Sequence, residues 1–488
     1  MLATAAPTRK HTRRERELEA ENAALRDENG SLKERVTDLE ARLAAALERI
    51  TEFEARLREN SASSDRPPSS DPPWNKPQQR PRERSGRKRG AQPGHKGVTR
   101  PLVPVEQVNA VMHHFAEACR GCGARLPQRE VPGAPTPRRH QVTEAPPVRP
   151  VVTEHQAHGT PCKCGAVTFA EVPADIRVSS FGPRLQALVA LLTGRYRLSR
   201  REAAEAIMDL TGVDISLGSV TALEQATSDA LESPYEEARK AVREAGVLNA
   251  DETGWRNGSA RAWLWIAVTS ALAVFWIDPR RNREAFQRFL GRFAGFLMTD
   301  RWGAYLRHPK RLHQLCWAHL RRDFEKLVLR GGEAKKLGLA ALTEIKAIFE
   351  LWHRFSRAEI SRAQLRRKMK PIQDRFYDLL IEGTQCSHKK AGSLCAKLVL
   401  LWRCLWLFLR IPGVEPTNNA GERDLRKAVL WRKGSFGSQS DHGCLYVSRM
   451  LTAVGSLRKQ KRNVLDFLEQ AIRAHRAGTR APSLLPLA

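Results

Sequence analysis

The stretch Gly246–Asp251, reading Gly-Val-Leu-Asn-Ala-Asp, does most to restrict the fold. Val247 and Leu248 open a short apolar run, and a carboxylate, Asp251, closes it. A buried strand that ends in an acid sets that acid at the rim of a sheet, within reach of metal or substrate. One such acid means little, because acids often cap strands and turns. Here the pattern recurs. Gly295–Thr299 is a second short apolar run, and it ends at Asp300. Farther on, Asn418-Asn419-Ala420-Gly421-Glu422 puts an acid in the first turn of a predicted helix. Two strand-end acids and one helix acid are the oxygen donors a hard divalent cation needs, held on rigid elements with positions left for water and phosphate.

The residues around these acids read as a sheet. Gly246–Trp255 is a first strand, Asn257-Gly258 a hairpin turn, and Arg261–Thr269 an alternating strand with Trp263, Trp265 and Ala267 on one face. Leu272–Ile277 is a third strand, broken by Pro279; Asn282 caps a helix through Leu290, which Gly291 ends. Gly295–Thr299 and Leu312–Cys316 follow as strands four and five, the last running into a helix that bears His319, Arg321 and Arg322. Three antiparallel strands, a helix and a strand ending in Asp describe a ribonuclease-H-like α/β core. Its first part spans 246–328 and its second 413–476, with the closing helices at 445–475 and a tail at 477–488. Residues 329–412, rich in Leu, Lys and Trp, read as a helical insertion with a basic cluster at Arg362, Arg366, Arg367, Lys368 and Lys370. Trp352, Trp402 and Trp406 are expected to be packing residues. Glu252 follows Asp251 directly, so on a strand it points to the opposite face. Asp278 belongs to the Pro279 turn. Asn418-Asn419 is expected to cap the helix that carries Glu422, whose first-turn position beside the positive end of the dipole favours its ionised form.

Charge narrows the partner. Lys and Arg number 82 against 53 acids in 488 residues, a net charge of +29. Such an excess points to a polyanion, nucleic acid first. A membrane surface is the other polyanion, but no apolar run reaches the ~20 residues of a spanning helix. The longest, Leu398–Leu409, is broken by Arg403, and the first residues hold no apolar signal core. A cytosolic protein, associated with the nucleoid through its DNA, is expected. The nine cysteines are too few and too uneven for a secreted disulfide framework, and their close pairs suggest zinc.

The N-terminal half divides by composition. Within residues 1–60, Leu18, Leu25, Leu32, Leu39, Ala46 and Phe53 recur every seven, as do Asn22, Asn29, Val36, Leu43, Ile50 and Leu57. This a/d seam predicts a coiled coil, and its two early asparagines a specified register in a parallel dimer. Residues 61–105 form a linker, Pro/Ser-rich and then basic at Arg80, Arg82, Arg84, Arg87, Lys88 and Arg89. It is either a spacer or an arm that orders on a phosphate backbone. Residues 106–178 hold Cys119-x-x-Cys122-Gly and Cys162-x-Cys164-Gly, two thiol pairs suited to a tetrahedral structural zinc site; His155 or His158 is an alternative ligand. Alternation from Val148 to His155 predicts short strands between the pairs. Residues 179–245 read as helices, with a turn at Thr211-Gly212-Val213. That pattern suits a helix-turn-helix or a structural helical hairpin, since the second helix is poor in base-reading side chains.

Taken together, Asp251-Glu252-Thr253-Gly254-Trp255, Thr299-Asp300-Arg301-Trp302-x-x-Tyr305, Cys316-Trp317-Ala318-His319-Leu320-Arg321-Arg322-Asp323-Phe324 and Asn418-Asn419-x-x-Glu422-Arg423 resemble the insertion-sequence-66 family of bacterial DDE transposases. The leucine-rich coil, the Pro-Ser linker, Gln92-Pro93-Gly94-His95-Lys96-Gly97 and the cysteine pairs stand in that family's order. The departure is Cys162-x-Cys164, one residue short of the usual gap. The resemblance implies a multidomain α+β protein with Asp251, Asp300 and Glu422 as catalytic carboxylates. They would hold two Mg2+ (or Mn2+) ions about 3.5–4 Å apart, Asp251 bridging both. Hydrolysis would free a 3′-hydroxyl at the element end, which then attacks target DNA. His319, Arg321, Arg322, Asn419, Arg423 and Arg426 are candidates for contacting DNA, with helix-surface packing the alternative for the first three. Expected partners are element-end and target DNA, a second copy through the coil, and accessory proteins of the element. A non-catalytic DNA-binding relic or repressor, and a nuclease that cuts without joining, are the competing readings.

Overall fold

The computed structural model describes residues 12–58, 95, 97 and 100–486. The Pro/Ser linker and its basic cluster from Arg80 to Arg89 lie outside the described residues. The chain divides into two compact units. The smaller holds residues 78–154 and 206–214, and the larger holds the remainder.

Helix α1 (Arg13–Arg58) is unbroken for 46 residues, about 69 Å at 1.5 Å per residue. Its seam residues Leu18, Leu25, Leu32, Leu39, Leu43, Ile50 and Leu57 are all exposed. An apolar stripe of this length along one helix fits a coiled coil.

The smaller unit is mostly irregular. Gln141 pins Val103 by accepting its N–H and donating to its carbonyl, both at 2.8 Å. The strands expected between the cysteine pairs are absent, and residues 148–158 have no regular structure. Pro146, Pro147 and Pro150 remove the donors a ladder would need. The strands that do form, β1 (Gly159–Pro161) and β2 (Val167–Phe169), belong to the larger unit and flank the second cysteine pair.

In the larger unit, short α2 (Ala174–Arg177) leads to α3 (Pro183–Ala190), α4 (Arg200–Thr211, whose last residues belong to the smaller unit), α5 (Leu217–Ala230) and α6 (Glu232–Arg243). Ser216 caps α5 by accepting the N–H of Ser219. Helix α5 buries Val220, Leu223 and Thr227, and its exposed positions Thr221, Ala222, Gln225 and Asp229 include no cation.

The sheet is built from β3 (Val247–Asn257), β4 (Ala260–Val268), β5 (Ala273–Asp278), β6 (Phe296–Thr299) and β7 (His313–Leu315), in the order β5-β4-β3-β6-β7. The first three are antiparallel, and β6 and β7 run parallel to β3. The hairpin between β3 and β4 turns on Gly258 and Ser259, one residue later than expected, because Gly258 takes the positive φ of 57°. Between β5 and β6, α7 (Arg283–Leu290) starts at Asn282, which accepts the Ala285 N–H at 2.9 Å, and stops at Gly291. Trp265 packs on Phe286, Trp302 and Tyr305, and Trp276 stacks on Phe289.

After β7 come α8 (Trp317–Val328), α9 (Gly332–Ser356), α10 (Arg362–Thr384), α11 (Lys389–Leu400), α12 (Asn419–Ser435), α13 (Asp441–Lys459) and α14 (Val464–Arg476). Among the described residues there are two hydrophobic cores. One joins the sheet to α3, α6, α7, α13 and α14. The other lies among α8–α11 and the turns at 402–409, where Trp317, Trp352, Phe376, Trp402, Trp406 and Phe408 pack ring on ring. The tail is docked at Leu484, which is buried and whose carbonyl accepts from Gln460 at 2.7 Å. No helix among the described residues is long and apolar enough to cross a membrane.

Candidate active site

Asp251 does not end its strand. Strand β3 runs on for six more residues, and Asp251 pairs with Ile266 of β4. What ends is the parallel ladder on its other side, whose last pair is Asn249 with Met298. Asp251 therefore has a strand on one flank and an opening on the other. Asp300 follows the last residue of β6. Both acids lie at the carboxyl end of the parallel pair, the end where open α/β sheets take ligands.

Glu422 comes from α12, and the route that brings it is side-chain chemistry. Asn418 stands at the N-cap, but its side chain does not cap. It is fully buried and donates to the Ala250 carbonyl at 2.9 Å, tying the helix start to the residue before Asp251. A Cβ on Gly421 would stand 2.9 Å from Asn418 Oδ1, so glycine is what lets helix and asparagine lie this close. The Trp317 N–H donates to the Pro416 carbonyl, and the Asn418 N–H to Cys316 Sγ at 3.2 Å.

The three carboxylates feel one another. Burial pushes the Asp251 carboxyl well above the usual range, and the charges of Glu252, Asp300 and Glu422 push it further. They do not close into a single tight trio. Among the described residues, the three-ligand group whose donor atoms all lie within 4.8 Å is Cys316, His319 and Glu422.

Glu252 faces the other side, as alternation requires. It is nearly buried and is held by Arg281, at 2.6 and 2.8 Å, and by the Tyr305 hydroxyl. Arg281 lies over the rings of Trp263 and Trp302. Burial and these acids push the Tyr305 hydroxyl well above its usual range, so it remains a donor. The Trp and Tyr of the Asp-Arg-Trp-x-x-Tyr motif thus brace β3 from behind. Arg301 pairs with Asp323 at 2.8 Å, and Trp255 Nε1 donates to Ser438. Asp278 is buried in a bidentate pair with Arg288 and not merely part of a turn.

The cationic candidates separate. His319 Nδ1 and Arg322 Nη2 stand 3.6 and 3.7 Å from Glu422 Oε1. Arg321 is more exposed and pairs with Glu325 of its own helix. Asn419, Arg423 and Arg426 are exposed on α12 at spacings of four and three, on one side together with Glu422. Sequence reasoning missed His313. It is buried on β7, its Nε2 lies 2.8 Å from the Thr299 hydroxyl, and burial depresses its pKa to about 3. A lone histidine in an apolar strand carries no signal for that role.

Each cysteine pair forms a knuckle of its own chain segment. Around Cys119 and Cys122, the Gly123 N–H donates to the Cys119 carbonyl. Around Cys162 and Cys164, the Gly165 N–H donates to the Cys162 carbonyl. Gly123 and Gly165 both take positive φ, the tight turn that aims two thiols the same way. Hydrogen bonds from within each pair lower the Cys119 and Cys162 thiols.

Residues 178–445 match the Transposase IS66 family. The chain belongs to that family. Residues 4–101 match a family of unknown function, DUF6444. Among curated proteins, the uncharacterized protein y4qI of Sinorhizobium fredii is 25% identical over 263 residues, 47% of this chain and 48% of its own length. The uncharacterized protein y4hP of the same organism is 23% identical over 331 residues, 60% of each chain. The chain thus spans about half to three fifths of the length of these relatives. The matched family region contains Asp251, Asp300 and Glu422 and ends inside α13.

Proposed function

We propose that this chain is a DDE transposase whose ribonuclease-H-like core cuts and joins DNA with Asp251, Asp300 and Glu422 as metal-holding carboxylates. The observation that carries the reading is the placement of Asp251. It is a desolvated acid at the end of a parallel ladder, repelled by Asp300 and Glu422 from two other elements. Carboxylates gathered at the end of a strand are the donor set a hard cation fits. Asp251, Asp300 and Glu422 would hold Mg2+ or Mn2+. When bound, the ions supply charge neutralisation at the scissile phosphodiester and activation of water.

The chain's own residues do the rest. Asn418 and Gly421 hold Glu422 against β3. Arg281 and Tyr305 keep Glu252 out of the site. His319 and Arg322 orient Glu422 and, with Asn419, Arg423 and Arg426, offer positive charge to the DNA backbone. Strand cleavage would free a 3′-hydroxyl at the element end, and that hydroxyl would attack target DNA. The exposed seam of α1 supports a homodimer, which pairs two DNA ends. Each cysteine knuckle offers two thiols, the donor chemistry of structural zinc.

The test is magnesium-dependent cleavage of DNA carrying the element ends, with accessory proteins of the element present. Wild type should cut, while Asp251→Asn and Glu422→Gln should bind the same DNA and not cut it. Cleavage surviving in either variant removes the site. Binding without cleavage in wild type returns the non-catalytic reading.

A further inference from the structure

Cys316 is part of the family motif, yet the proposed chemistry gives it nothing to do. Its sulfur lies with an imidazole nitrogen of His319 and a carboxylate oxygen of Glu422, all within 4.8 Å of one another. Cys316 stands at the N-cap of α8, and His319 follows at the three-residue spacing that keeps both on one side of the helix. Glu422 arrives from the first turn of α12. The buried sulfur accepts the Asn418 N–H at 3.2 Å, so the starts of two helices, α8 and α12, meet at it. Burial pushes the Cys316 thiol up to about 11, while the backbone N–H groups of Asn418 and His319 at the two helix starts act in the opposite direction. Glu422 Oε1 is buried and accepts no hydrogen bond.

One sulfur, one imidazole nitrogen and one carboxylate oxygen do not suit magnesium, which takes oxygen. Thiolate with imidazole selects zinc and its thiophilic neighbours. Three protein ligands with a fourth position open is an arrangement zinc accepts. We infer that Cys316, His319 and Glu422 form a site for a thiophilic divalent cation of the zinc class, and that its occupancy withdraws Glu422 from Asp251 and Asp300. The second half rests on the function proposed above. On binding, the Cys316 thiol proton leaves to solvent as the sulfur–metal bond forms, and no electrons are exchanged. Thiolate and carboxylate then balance the dication. Zinc would act as a brake on a magnesium-dependent enzyme by competing for one shared ligand.

The experiment titrates Cd2+ into the full-length chain in excess Mg2+ and reads the ultraviolet thiolate-to-cadmium absorption. Wild type should bind one ion more than Cys316→Ser. Glu422→Gln should keep the absorption but bind that ion about tenfold or more weakly. Cys316→Ala carries the same expectation as the serine variant, should the hydroxyl disturb the fold. Equal cadmium stoichiometry in wild type and both Cys316 variants overturns the site. Zinc inhibition of DNA cleavage, measured against each protein's own uninhibited rate, should weaken about tenfold in Cys316→Ser. Equal inhibition overturns the brake. Cadmium bound through Cys316 in a chain that never cuts DNA keeps the metal site and overturns the proposed function instead.

Discussion

The two edges of the sheet are closed in different ways. Along β5, the closing helix α13 supplies hydroxyls directly to the strand. Thr452 Oγ1 accepts the Phe275 N–H at 2.9 Å, and Ser456 Oγ the Ala273 N–H at 3.1 Å. Tyr235 of α6 donates to the Phe275 carbonyl at 2.8 Å. Along β7, one strand side chain does the reaching. Gln314 Nε2 donates to the Leu405 carbonyl at 3.1 Å, and Gln314 Oε1 accepts the Phe408 N–H at the same distance. Both solutions hide an edge that would otherwise pair with another chain. The β5 edge is guarded by helices flanking the core. The β7 edge is guarded by the insertion, and β7 leads straight into Cys316, His319 and Arg322. Disturbance at the β7 edge should therefore reach the site, whereas disturbance at β5 should stay local.

The largest expected effect is at Gln314. Replacing it with alanine leaves the buried Phe408 N–H without its acceptor and should cost about 3 kcal/mol in urea unfolding. DNA cleavage should fall as well, and a loss no greater than at the β5 edge would break the contrast.

Next comes acid. Burial holds the folded-state pKa of His313 at about 3, below its ordinary 6.5, so the unfolded chain takes the proton first. The stabilisation is complete above pH 6.5 and is lost as pH falls toward 3. Between pH 6.5 and 5 the loss should be about 2 kcal/mol, and His313→Asn should flatten that part of the unfolding profile. A profile unchanged by the substitution would show that the β7 side is not the acid-sensitive one.

Thr452→Val should follow, at about 1.5 kcal/mol, with cleavage retained at temperatures where the variant is folded. Loss of cleavage in the folded variant would show that the β5 edge also communicates with the site. Ser456→Ala should be smallest, at about 1 kcal/mol in the same unfolding measurement, because its bond to Ala273 is the longer.

Much was legible in the residues alone. The seam of α1 repeats along one helix, so seven-residue periodicity sufficed to read it. The five strands, the Asn282 cap and the Gly291 stop are local signals, and each lies within a residue or two of its expected place. The three acids could be singled out because each follows a short apolar run or opens a helix. What stayed hidden depends on which elements meet. Asp251 looked like a strand end because its apolar run stops there, but the strand continues and only its parallel partner stops. Asn418 looked like a cap, yet its amide is used by a different element.

The sequence by itself determined the elements and the net charge, and it supplied the three carboxylates proposed as a site. Those follow from side-chain period and from donor chemistry, which need no knowledge of neighbours. Only the tertiary structure decided that Glu252 is braced away from the acids, that Thr452 and Ser456 close an edge, and that Cys316 and His319 share Glu422. Those are contacts between segments far apart in the chain. Side-chain hydrogen bonds and ligand sets exist only where packing has brought their atoms within bonding distance.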